Sequence, residues 1–100
     1  MTSSAVPSLE SLRIRTRAVL ARLFGPEIDD LPADTPLPET LGDRYDSLGA
    51  MECVTAIEKE FGIEVDFVEH DVRYNFAQLD RIAEFVHSRL EDQAVFGGSR

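Results

Sequence analysis

Residues Leu41–Val65 read LGDRYDSLGAMECVTAIEKEFGIEV. Asp46 or Ser47 suits the position just ahead of a helix, because either side chain can accept a hydrogen bond from an otherwise unpaired N–H of the first turn. Leu48, Met51, Val54, Ile57 and Phe61 then recur every three or four residues, which predicts a helix with a buried apolar stripe. Glu52, Glu58, Lys59 and Glu60 fall largely outside that stripe, and Gly62 ends the helix. Between Asp43 and Asp66 stand seven acidic residues against two basic ones. The stretch therefore describes an acidic helix with a hydroxyl or carboxylate at its start.

Upstream, Ser8 follows Pro7 and can cap a first helix. Leu9, Leu12, Thr16, Val19, Leu20, Leu23 and Phe24 recur at helical spacing, and Arg13, Arg15, Arg17 and Arg22 occupy the remaining surface. These arginines read as a solvated face or as a balance to the acidic helix. Gly25-Pro26 stops the first helix. From Gly25 to Tyr45, four prolines exclude a continuous helix. Leu31, Leu37 and Leu41 predict that this long connection is ordered and pinned to the core.

Downstream, Ile63–Phe67 alternates like a strand but has no second strand to pair with. It reads as an extended connector inserting apolar side chains. His70–Tyr74 suggests one or two helical turns. Phe76, Leu79, Ile82, Ala83, Phe85, Val86 and Leu90 predict a final helix from about Ala77 to Leu90 or a little beyond, with Asn75 as a candidate cap. The expected fold is all-α: a small bundle of three main helices plus one short helix, with a long ordered first loop. Residues 8–94 form the domain, and 1–7 and 95–100 read as flexible tails.

One hundred residues, 43% of them hydrophobic, suffice for one modest core. Ten basic against 19 acidic residues give a net charge of −9, which disfavours nucleic acid and anionic membrane surfaces and favours basic protein partners. Cys53 stands alone, so no intrachain disulfide forms, in keeping with a reducing cytoplasmic setting. No apolar run approaches the roughly 20 residues of a membrane span, and no leader pattern opens the chain. A monomeric binding or carrier module, with no catalysis of its own, is the expectation for this size.

Several chemistries lack their residues. Asp29, Asp30 and Asp34 are not in the order of a calcium loop. His70, His87 and Cys53 do not have zinc-ligand spacing. No glycine-flanked nucleophile elbow surrounds Ser47, against a hydrolase. Cys53 reads as buried packing, the two histidines as structural, and Phe61, Phe76 and Phe85 as core.

Asp46-Ser47-Leu48 at a helix start, then Met51-Glu52, then Ile57-Glu58-Lys59-Glu60-Phe61-Gly62-Ile63 without a gap, resemble the core of the acyl carrier protein family. The resemblance covers roughly Leu9–Leu90. It implies that Ser47 carries 4′-phosphopantetheine, whose thiol holds an acyl, hydroxyacyl or aminoacyl group as a thioester. It also implies a phosphopantetheinyl transferase using coenzyme A and Mg²⁺, an acyl-loading ligase or acyltransferase, and downstream synthase or transferase enzymes as partners. Arg73-Tyr74-Asn75-Phe76, Leu79 and Ile82 are similar to free-standing carriers of antibiotic-type pathways, which points to polyketide or other natural-product biosynthesis.

Two positions depart from the family pattern: Arg44 stands where glycine is usual, and Gly49 where a polar or acidic residue is common. Gly49 is expected to loosen the first turn by under about 1 kcal/mol. The physical reading agrees with the resemblance, since a phosphate on a helix-start hydroxyl faces unpaired N–H groups and the positive dipole end. Asp46 and Leu48 flank that point, and Met51, Glu52 and Glu58 are the expected partner-recognition residues. The other reading is an unmodified acidic helical interaction module in which Ser47 is simply a cap.

Overall fold

The computed structural model describes residues 6–96. Its helices are α1 (Leu9–Phe24), α2 (Leu37–Leu41), α3 (Ser47–Phe61), α4 (Val72–Asn75) and α5 (Leu79–Phe96). Two 3₁₀ turns, Pro26–Asp30 and Gly42–Tyr45, flank α2. Among the described residues there is no strand, and no helix is long and apolar enough to cross a membrane. Three long helices are as expected, but there are two short ones rather than one.

The long helices stop and start where local chemistry dictates. Ser8 caps α1, its hydroxyl accepting from Ser11 N at 3.1 Å. Gly62 closes α3 in the left-handed conformation (φ 66°), which costs glycine nothing, and donates to Glu58 O at 2.9 Å. Asp71 caps α4 by accepting from Tyr74 N. Asn75 is the last residue of α4 and not the cap of α5, because α5 starts only at Leu79, after a bend at 77–78. At its other end α5 continues through Phe96, well past Leu90 and into the segment read as a tail. Residues 1–5 and 97–100 of the two expected tails lie outside the described residues.

Helix α1 packs against both α3 and α5. Leu12, Leu20, Ile57, Leu79, Ile82 and Phe76 meet in the core and are essentially inaccessible. The long connection is ordered, as its leucines predict: Leu31, Leu37 and Leu41 are all buried, and Ile28 joins them. Burying each such side chain contributes about 1.5–3 kcal/mol. Backbone bonds complete the anchoring, with Leu37 N donating to Ala77 O (2.8 Å) and Asp80 N to Ala33 O (3.0 Å).

The arginines of α1 are not merely a solvated face. Arg13 pairs with Asp80 at 2.8 Å, and Arg15 and Arg22 share Glu60 of α3. Arg17 donates to Ile28 O (2.8 Å) and Leu31 O (2.6 Å), fastening the first 3₁₀ turn beneath the helix. In the 63–67 connector, Ile63 and Val65 insert into the core, but Phe67 does not and is 48% exposed.

Candidate functional site

The start of α3 is set by three consecutive residues with separate roles. Tyr45 anchors: its hydroxyl donates to Phe76 O, and its ring meets Phe24 edge-on at 5.6 Å. Asp46 caps: its Oδ1 accepts from Gly49 N at 2.9 Å. Ser47 is thereby relieved of the cap and stands exposed as the first helical residue. Of the two candidate caps, the structure selects the carboxylate because its backbone is extended (φ −80°, ψ −168°), the geometry a cap requires.

The turn ahead of Ser47 is held from both sides. The Arg44 side chain donates to Phe24 O (2.7 Å) and pairs with Glu27. The Arg44 carbonyl folds over α3 and lies 2.1 Å from where a Cβ on residue 49 would stand. Gly49 is thus also a steric requirement, which the expectation from propensity alone does not include.

Leu48 and Met51 do not join the buried stripe. They are 68% and 44% exposed, while Cys53, Val54, Ile57 and Phe61 carry the core contact. The buried stripe therefore lies on the Cys53 side of α3, the side that packs into the core with α1. Beside Ser47 opens a cleft of about 570 Å³. Tyr45, Asp46, Ser47, Ala50 and Met51 line it from the start of α3, and Phe67, Val72 and Arg73 line it from the connector and α4.

Glu52 is exposed on α3, one residue beyond Met51. Glu58 acts within the fold, where its carboxylate accepts from Val65 N at 2.8 Å and ties the connector to α3. Cys53 is fully buried, and burial pushes its thiol up to about 12 from the ordinary 9.0. Burial also raises the neighbouring Tyr45 hydroxyl well above its usual range. Neither group has nucleophilic character at neutral pH.

The structure therefore assembles Asp46, Ser47 and Met51 around one cleft, with Leu48 and Glu52 exposed nearby. It adds Tyr45, Phe67, Val72, Arg73 and Phe76, which the sequence did not single out as site residues. For Phe67 the sequence shows only the third apolar residue of an alternating run; that it lines the cleft while Ile63 and Val65 are buried comes from the structure. Arg73 and Val72 carried no signal, since they reach the site through the path of the chain after Gly62.

The chain matches the family described as "Phosphopantetheine attachment site" over residues 15–86. That family binds covalently attached 4′-phosphopantetheine. No curated protein and no solved structure matches the chain at a significant level.

Proposed function

This chain belongs to the phosphopantetheine attachment site family, and we propose that Ser47 is its attachment residue and that the protein shuttles acyl intermediates between enzymes. The observation that carries this is the division of labour at the start of α3. Asp46 takes the cap, so the Ser47 hydroxyl is exposed and not spent on the helix. The residues present fit the group. A phosphate on Ser47 adjoins the positive end of α3, and the apolar cleft begins beside it. When bound, the arm supplies a thiol that holds cargo as a thioester.

The chain's own residues position and present. Tyr45 and Arg44 hold the Ser47 turn against α1 and the α4–α5 link. Leu48 and Met51 offer apolar contact beside it, and methionine adapts to varied surfaces. Asp46 and Glu52 offer negative charge to basic partners, which speeds encounter more than it strengthens binding. The partners in this reading are a phosphopantetheinyl transferase, an acyl-loading ligase or acyltransferase, and downstream synthases. The cargo is an acyl, hydroxyacyl or aminoacyl group, and the setting is polyketide or related natural-product synthesis. The protein itself catalyses nothing in this scheme.

The test is incubation with a broad-specificity phosphopantetheinyl transferase and coenzyme A. The intact mass rises by one phosphopantetheine in the wild type and stays constant in Ser47→Ala. An unchanged wild-type mass, with binding to a basic partner retained, selects the unmodified interaction module instead.

A further inference from the structure

Arg73 projects from α4 into the lining of the Ser47 cleft. The other arginines among the described residues are engaged by carboxylates, by backbone carbonyls or by the Tyr74 ring. Arg73 has no ion pair or side-chain hydrogen bond among the described residues, although the chain carries nearly two acids for each base. Asp46 lines the same cleft, yet its Oδ1 is spent on Gly49 N. Arg73 is exposed to solvent, so its guanidinium is free to turn toward an anion placed in the cleft.

A phosphodiester at Ser47 brings one negative charge next to the Asp46 carboxylate. The helix end offsets only part of it, since the Gly49 N–H is already taken. The remaining counter-charge in the cleft is Arg73, whose planar fork matches two phosphate oxygens. We propose that Arg73 is a positioning residue that binds the phosphodiester oxygens at Ser47 and draws α4 onto the arm. This rests on Ser47 being the attachment residue. Arg73 makes no contribution to forming the ester, and its effect appears only once the charge is present. Helix α4 buries none of its own residues, so the pairing is free to settle it.

The experiment compares apo and holo forms, without cargo, of the wild type, Arg73→Gln, Arg73→Lys and the exposed-charge control Lys59→Gln. Intact mass establishes loading. The readouts are the ³¹P resonance of the phosphodiester at low and high salt, and the urea midpoint of holo minus apo. Expected in the wild type are a salt-dependent ³¹P position and a higher midpoint on loading. Both are lost in Arg73→Gln, largely kept in Arg73→Lys and unchanged in Lys59→Gln. If Arg73→Gln loads fully and matches the wild type in both readouts, the pairing is wrong while the Ser47 reading stands. Equal loss in Lys59→Gln reduces the effect to net charge and also overturns it. A wild type that never gains mass overturns both readings at once.

Discussion

The carbonyl oxygen of Arg44 lies 2.1 Å from the point where a Cβ on residue 49 would stand. The backbone of residue 44, whatever its side chain, therefore leaves room only for glycine at 49. The Arg44 turn crosses the first turn of α3 at a distance only a hydrogen permits, and the Arg44 side chain fixes that turn to the end of α1. Gly49→Ala sets two effects against each other. Alanine favours the helix by up to about 1 kcal/mol, whereas overpacking against a held backbone carbonyl costs about 1–3 kcal/mol or more. The clash wins, because its partner is backbone and cannot rotate away. Urea unfolding should show a net loss of stability and slower loading of Ser47; a gain in stability refutes the coupling.

The division of labour between neighbours predicts unequal stability effects at adjacent positions. Ser47→Ala should leave stability within about 0.5 kcal/mol, since an exposed non-cap side chain is removed. Asp46→Ala should cost about 1 kcal/mol by stripping the cap from Gly49 N. Thermal or urea unfolding of the two variants checks the assignment. A larger loss in Ser47→Ala than in Asp46→Ala means that the serine is the cap after all.

Alkaline pH should destabilise the fold through Cys53. Burial holds its thiol at about 12 in the native protein against 9.0 for an ordinary one. The protonated form is the one folding protects, so this stabilisation is fully present below about pH 9. Between 9 and 12 the unfolded thiol loses its proton while the native one keeps it. Stability then falls, by up to ~1.4 kcal/mol per pH unit. Tyr45, raised in the same direction, adds to the fall from about pH 10 upward. Cys53→Ala should be less stable at pH 7 yet lose less between pH 9 and 12, as measured by urea midpoints across that range.

Leu37 tests whether the first connection is a structural member. It is fully buried, and its N–H donates to Ala77 O in the link between α4 and α5. Leu37→Ala should cost about 2–5 kcal/mol and accelerate amide exchange at residues 26–45. A loss below about 1 kcal/mol would mean the connection merely covers the bundle.

The pairing of Tyr45 with Phe76 links the Ser47 turn to the link between α4 and α5. Tyr45→Phe keeps the ring against Phe24 and removes only the donor, leaving the Phe76 carbonyl short of its partner. The expected cost is about 1–3 kcal/mol, together with broader amide resonances at 72–78. An unchanged spectrum there would show that the hydroxyl does not brace the cleft.

The order of the helices was legible because it depends on local chemistry. Apolar spacing marked α1, α3 and α5, and Ser8, Gly25-Pro26 and Gly62 punctuated them. The connection from Gly25 was readable as ordered from three leucines, but its 3₁₀ turns and α2 were not. Four prolines remove helical donors without saying which short turns replace them. The end of α5 was not legible, because the polar run Glu91-Asp92-Gln93 interrupts the apolar spacing after Leu90 although the helix continues through it.

By itself the sequence determined that this is an acidic all-helical chain with a serine at the head of its central helix. Those properties are written in composition, period and neighbouring residues. Only the tertiary structure decided that Asp46 and not Ser47 is the cap, that Leu48 and Met51 face outward, and that Gly49 is required. It alone brings Phe67 and Arg73 to the serine. Each of these depends on how the Arg44 turn and the 63–71 connector lie against α3. That is set by contacts between residues far apart in the chain, to which spacing along one helix is blind.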